Sequence, residues 1–416
     1  VIGEDFVLKL GRGLHMYGQP THRLEEALVQ VCRRLGIHGQ FFSMPTALFA
    51  SFGEGVAHRT FQIRVEPGGV DLGKLARLDE LRARVAEGRL APAEGSLAVD
   101  AILEAPPAYG PWLTTPAYAL ASATACRFFG GGWREIAAAG AIGLVIGLLA
   151  LLLARQTATA RVFEATAAAT AAFIAVAASS LIPPLQPSIA ILAGLIILVP
   201  GFAMTVAFTD LATRNLVSGT ARLAGAAVSF LAIAFGVALG TRLAEEAFGH
   251  PAAIAPLAPP EWTLLVSLLI APLAFAILFQ ADGRDLLWVV AGVFVAFVGG
   301  RLGARWLGPH LGAFVGAAAV SAFGNAYCRL VSRPASVPTV PGLLLLVPGS
   351  LGFQSVTSLL SRDALQGVEA AFAMILVAVS LATGLLVGNV ILPMPRLDPG
   401  GEALESAAGA PGGTAR

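Results

Sequence analysis

Leu198-Val199-Pro200-Gly201 returns as Leu346-Val347-Pro348-Gly349, and the identity continues on a constant separation of 148 residues. Ser188 pairs with Ser336, Gly194 with Gly342, Thr209 with Thr357, Leu211 with Leu359, Arg214 with Arg362 and Gly219 with Gly367. A register kept over that length marks two copies of one unit. Both copies lie in strongly apolar sequence. Hydrophobic segments interrupted by Pro and Gly at matching places in two halves point to a secondary transporter and its binding site.

Composition agrees with a membrane protein. Hydrophobic residues make up 56% of the 416, charged residues only 13%, and the mean hydropathy is +0.76; a soluble domain carries about a quarter of its residues charged. The charge is unevenly spread, since residues 1–105 hold 25 of the 53 Lys, Arg, Asp and Glu residues. That quarter reads as a soluble α+β domain, bounded at 1–110. The net charge of +1, with no Lys/Arg cluster, excludes a nucleic-acid partner. Cys32, Cys126 and Cys328 lie far apart, without a second Cys or a His at ligand spacing, so neither a disulfide framework nor a metal site is indicated. The first residues are charged and form no continuous apolar stretch, so no cleavable signal is visible and the first domain is expected in the cytoplasm.

Within that domain the spacing predicts helix, helix, strand, strand, helix, helix. The first helix covers 5–17 and stops at Gly18-Gln19-Pro20; Thr21 then caps a second that ends at Gly36. Phe41–Phe52 and Thr60–Val65 read as a hairpin around Gly53-Glu54-Gly55, and 72–86 and 92–103 return to helical spacing. No catalytic set emerges. His15, His22, His38 and His58 show no HExxH pattern, Ser43 and Ser51 lack nucleophile-elbow glycines, and no phosphate-cradling loop is present, so neither an enzyme nor ATP drive is indicated and no cofactor is implied.

From about residue 114 the chain divides into ten apolar stretches of spanning length, at 114–131, 136–154, 162–182, 188–208, 223–241, 262–280, 285–303, 310–328, 339–357 and 369–392. The Ala/Pro-rich 246–261 is the linker between two five-helix repeats, 111–245 and 262–393; 394–416 lacks periodicity and reads as a disordered tail. Five spans per repeat is odd, so the two repeats must be inverted. With a cytoplasmic amino terminus, the inner connections carry Arg155, Arg161, Arg214, Arg222, Arg284, Arg329, Arg333 and Arg396, and the outer ones Arg134, Arg242, Arg301, Arg305 and Arg362, in line with the positive-inside rule.

The two breaks fall near the centres of the fourth and ninth spans. A proline there removes a backbone donor and the adjacent glycine tolerates the turn. Backbone groups freed in this way persist at membrane depth only when buried in protein or lining a wet cavity. A plain packing kink is the alternative for either break alone. Matched breaks at equal depth instead suggest a substrate site built from Pro200, Gly201, Pro348 and Gly349, with Thr205, Ser350 and Gln354 within a turn or two to recognise a hydroxyl group. Ionisable or strongly polar residues inside spans are costly and tend to face a cavity; Glu164, Asp210, Asn325 and Asn389 are the shortlist. Asp210 and Glu164 are the candidates for ion coupling, with Arg214, one turn from Asp210, and Arg362 as gating residues. Tyr327 and Arg329 read as an interfacial belt and anchor.

The segment Gly18-Gln-Pro-Thr-His-Arg23-Leu-Glu25-Glu, Pro45-Thr46, Val70-Asp71-Leu72, Phe129-Gly130-Gly131, Leu198–Gly201 followed by Asp210-Leu211, and Ser218-Gly219-x-x-Arg222 together resemble the threonine/serine exporter family along nearly the whole chain. The resemblance implies a cytoplasmic amino-terminal domain, ten transmembrane helices and export of small hydroxy amino acids driven by an ion gradient. The expectation is therefore an α-helical polytopic membrane protein of the inner or plasma membrane, with both termini cytoplasmic. Its partners would be a small amino acid, a proton or other coupling ion and the bilayer; assembly as a homo-oligomer stays open. A passive small-solute channel and a membrane-anchored binding or sensor protein are the alternatives.

Overall fold

The computed structural model describes residues 2–55, 58–66, 68–153, 162–250, 256–257, 259–347, 349–360 and 363–394. Pro348, Arg155, Arg161, Arg362, Arg396, the middle of the expected linker and nearly all of the expected tail lie outside the described residues.

The soluble part opens with α1 (Ile2–Met16) and α2 (Thr21–Arg34). Glu4 and Asp5 stand in the favourable first turn of α1, and α2 buries Leu24, Leu28 and Val31 at helical spacing. A three-stranded antiparallel sheet follows, β1 (Gly39–Met44), β2 (Ala47–Phe52) and β3 (Arg59–Arg64), with β2 central. The expected single strand Phe41–Phe52 is therefore two. Pro45 and Thr46 turn the chain so that Met44 faces Ala47 and Phe42 faces Phe49, because Pro45 cannot donate to a ladder and favours a turn. Along β2, Leu48, Ala50 and Phe52 are buried alternately and meet α1 and α2. Two more helices, α3 (Leu72–Ala86) and α4 (Pro92–Glu104), complete the layer; the Asp71 carboxylate caps α3 by accepting from Lys74 N at 2.8 Å.

The remainder is helical: α5 (Pro111–Phe128), α6 (Trp133–Leu153), α7 (Phe163–Leu181), α8 (Pro187–Gly194), α9 (Gly201–Ala212), α10 (Leu216–Phe248), α11 (Trp262–Leu278), α12 (Leu286–Leu307), α13 (Pro309–Val331), α14 (Ser336–Leu346), α15 (Gly349–Leu360) and α16 (Ala364–Ile391). Among the described residues seven helical stretches are long and apolar enough to cross a membrane. The three other expected spans coincide with α5, with the broken pair α8 and α9, and with the 17-residue α11, which are more polar or shorter. The protein is thus a polytopic α-helical membrane protein with a small α+β domain at its amino end.

Packing repeats between the halves. A Cβ on Gly236 or Gly240 of α10 would stand 2.2 or 2.0 Å from the carbonyl oxygens of Ala165 or Ala169 on α7. On Gly384 or Gly388 of α16 it would stand 2.4 or 2.6 Å from those of Phe314 or Ala318 on α13. Each half thus uses a Gly-xxx-Gly pair, 148 residues apart, to bring two helix backbones into contact, the usual device where lipid supplies no hydrophobic drive between helices.

The soluble domain is not a separate bead. Its core of Phe6, Leu10, Leu24, Leu48 and Leu72 continues without interruption into Ala276, Val289, Tyr327, Val337 and Val340 of the helical part. The first-turn amides of α3 have no intrahelical acceptor, and they find one here: Leu72 N and Gly73 N donate to Phe279 O and Gln280 O at 2.8 and 3.1 Å. Arg77 reaches Asp282 at 3.2 Å. Burial opposes the charge of Asp282, but Arg333 and Arg77 outweigh it and hold the carboxyl below the usual range. Arg333 also pairs with Asp285, whose other oxygen accepts from the Tyr327 hydroxyl at 2.8 Å. Tyr327 is fully buried, so it is not part of an interfacial belt: its ring packs on Trp288 and its hydroxyl has a carboxylate to satisfy it. Arg329 donates to Pro393 O.

Candidate functional site

The two breaks meet each other. Between α8 and α9 the chain turns through residues 195–200, with Gly201 N donating to Val199 O at 2.8 Å. At the end of α14, Val347 is extended (φ −65°, ψ 138°). A Cβ on Gly201 would lie 1.9 Å from Val347 Cγ1 and 3.2 Å from Gly349 N; one on Gly349 would lie 2.7 Å from Val199 Cγ1. Only glycines allow this crossing. The hollow beside it is lined by Ile196, Ile197, Val199, Phe275, Leu344 and Val347 together with Gly349, and is therefore apolar.

A second and larger space, about 650 Å³ with its open mouth, lies between the helices and the soluble domain. Thr205 and Thr209 of α9, Ser336 and Thr339 of α14 and Asn389 of α16 line the side formed by the helical part, with Phe202, Val206, Val340, Leu343 and Leu385 between them. Gly18, Pro20, His22 and Arg23, at the start of α2, form the opposite side. The threonines bond back to their own helices: Thr205 donates to Gly201 O at 3.1 Å, Thr209 to Thr205 O at 2.8 Å and Thr339 to Ala335 O at 2.6 Å. With their protons engaged in these bonds, their oxygens have only acceptor capacity left. Burial beside Arg23 drives the His22 imidazole down to about 4, so it is neutral near pH 7.

Directly beside this space stands Asp210, fully buried at the end of α9. Its Oδ2 accepts from Ser218 Oγ at 3.1 Å and from Thr21 Oγ1 at 3.2 Å and pairs with Arg222 Nε at 3.2 Å; Oδ1 has no partner. Thr21 does not act as the helix cap: it is the first residue of α2, Pro20 holds the cap position, and the Thr21 hydroxyl reaches across to Asp210 and Ser218. Nor does Arg214 serve as the counter-ion. It is exposed in a left-handed turn (φ 66°), and the chain folds back along α10 to present Arg222 instead.

Of the residues singled out in the sequence, Thr205 lines the larger space and Pro200, Gly201 and Gly349 build the crossing. Ser350 is half-buried at the start of α15, and Gln354 is exposed on it. Glu164, half-buried on α7, accepts from Ser229 Oγ at 3.0 Å, away from Asp210. Asn389 joins Asn325, Ser321 and Arg23 in one network. Thr209 and Ser336 stand in the repeat register and Arg23 in the segment that resembles the exporter family, but nothing in the sequence marks them as lining a common space, and Thr339 carries no signature at all. Among the described residues no group of His, Cys, Asp and Glu could hold a metal ion.

A bundle of apolar helices, two of them broken, around a polar space with the buried Asp210–Arg222 pair beside it defines a protein built to work within a membrane. A family described as "Putative threonine/serine exporter" matches residues 5–244, and a second, "Threonine/Serine exporter, ThrE", matches 264–391. The chain belongs to the threonine/serine exporter family. It is 30% identical to a "Pheromone-regulated membrane protein 10" of Saccharomyces cerevisiae (strain YJM789) over 86% of this chain and 47% of that protein. It is likewise 30% identical to the protein of that name in Candida albicans (strain WO-1), over 86% of this chain and 33% of the other. The chain thus spans half or less of the length of these relatives. No solved structure matches it.

Proposed function

We propose that the protein is a secondary active exporter of threonine, serine or a similar small amino acid, coupled to the proton gradient, with both termini in the cytoplasm. The observation that carries this reading is the space between α9, α14, α16 and the start of α2. It is large enough for a small zwitterion and offers hydroxyl acceptors on one side and donors on the other. The broken helices supply the rest of the site: Pro200, Gly201, Pro348 and Gly349 set the crossing, Thr205 faces the substrate, and Ser350 and Gln354 lie beyond the crossing, on the path outward. The apolar crossing closes that path while the substrate rests on the cytoplasmic side. Asp210 carries the coupling proton and Glu164 assists it, and Arg214 and Arg362 mark equivalent inner and outer positions of two inverted repeats.

The ten-span count is supported by parity. Among the described residues, the hydrogen bonds and ion pairs of the soluble domain with the helical part, at the α9–α10 junction, in the loop Phe279 to Asp282 and near the end of α16, lie after the fourth, after the sixth and at the end of the tenth expected span.

The test is counterflow of labelled threonine in proteoliposomes made with the purified full chain. Saturable exchange, with accumulation that collapses on adding a protonophore, is the expected result. Asp210→Asn keeps exchange and loses accumulation against a gradient. Non-saturable flux indifferent to the protonophore would instead identify a passive channel.

A further inference from the structure

Arg23 stands at the polar space without a carboxylate. Its Nη2 meets Asn389 Oδ1 at a long 3.4 Å, and among the described residues no Asp or Glu lies within ion-pair distance of it. It sits on the first turn of α2, a 14-residue helix whose cap position is Pro20, with no capping side chain and no acidic residue in that turn. The first amides of such a helix have no intrahelical acceptor and carry partial positive charge. The Asp210 carboxylate already lies against that terminus through Thr21, so the Arg23 guanidinium, on which Glu26 acts without an ion-pair contact, is the group left to bind a carboxylate, which arginine does in two parallel hydrogen bonds.

A second observation points to a ligand. Ser336 Oγ lines the same space, is 8% exposed and has no hydrogen-bond partner; His22 Nδ1, from the opposite side, is also buried and unpartnered. Buried polar atoms are nearly always satisfied, so two facing one space ask for something polar to fill it. The polarity is also ordered. The donor on the soluble-domain side is Arg23, and the acceptors lie on the opposite side at Thr205, Thr209 and Thr339.

We propose that Arg23 receives the carboxylate of the transported amino acid, while its ammonium rests on Thr205, Thr209, Ser336 and Thr339. The soluble domain is then one side of the transport site, and the substrate class is α-amino acids with a free carboxylate and a short side chain. This assignment rests on the exporter reading above.

The test is calorimetric binding to the full-length protein in nanodiscs, comparing L-threonine with 1-amino-2-propanol, which lacks the carboxylate, across wild type, Arg23→Gln and Arg23→Lys. Wild type should favour threonine. Arg23→Gln should weaken threonine about 10- to 100-fold, as loss of a charge-assisted bidentate pair does, and leave the amine unchanged, and Arg23→Lys should recover part of the loss. Wild-type affinity for threonine in Arg23→Gln overturns the assignment alone; a wild type that binds no amino acid overturns it together with the exporter reading. Should Arg23→Gln not fold, phenylglyoxal modification of Arg23 in the wild type decides. Threonine but not 1-amino-2-propanol should shield it, and equal modification with or without threonine overturns the proposal.

Discussion

Gly201 leaves no room for a side chain, since the space a Cβ would need is taken by Val347 Cγ1 at 1.9 Å and by the Gly349 backbone. Gly201→Ala should therefore lower unfolding stability by about 1–3 kcal/mol, the usual cost of overpacking. Gly349→Ala, whose Cβ would meet only a Val199 methyl at 2.7 Å, should cost less. Thermal unfolding of the two purified variants in one detergent checks the order. His22 gives a pH dependence. It binds a proton at about 4 when folded against 6.5 when free, so the unfolded state holds more protons between those values and stability falls as pH drops through that window. Glu25 and Asp71, raised chiefly by burial, act in the opposite direction. The comparison is therefore wild type against His22→Gln, whose melting temperature should fall less from pH 6.5 to 4. Asp210 was legible in the sequence, because a carboxylate in an apolar segment demands a reason. Its counter-ion was not: helical spacing favours Arg214, but the left-handed turn at that residue ends the helix and hands the role to Arg222.

The elements that join the two parts of the molecule are short. α3 docks through two amides and one arginine, and a Cβ on Gly73 would stand 2.6 Å from Gln280 O. Gly73→Val should push α3 off that loop and forfeit two backbone hydrogen bonds, about 1–3 kcal/mol together. Hydrogen exchange should speed up at Leu72, residue 73 and residues 279–282 while the β2 amides keep their protection; unchanged exchange at 72–73 would show that the docking does not depend on that close approach. The soluble helices were readable from apolar spacing, and the strands from their composition, except that Pro45 divides the first. The docking was not readable. Thr21 before an amphipathic run looks like a cap, and nothing local announces that its hydroxyl serves Asp210, 189 residues later.

At the scale of the whole chain, the sequence carries the same Pro-Gly pair twice, and α9 and α15, 201–212 and 349–360, are 148 residues apart at both ends. Inverted halves place residue 214 at the inner surface and residue 362 at the outer. Single cysteines at these positions, in a background without Cys32, Cys126 and Cys328, should differ in labelling by an impermeant thiol reagent on intact cells; equal labelling removes the inversion.

The bond from Arg23 to Asn389 spans 366 residues. A ribosome adds about 5–20 residues per second, and leading domains fold as they emerge. Arg23 and Asn389 are therefore made roughly 20–70 s apart. During that interval Arg23 is without the partner that the last helix brings it. The contact between Arg23 and α16 is thus among the last in the molecule that synthesis makes possible.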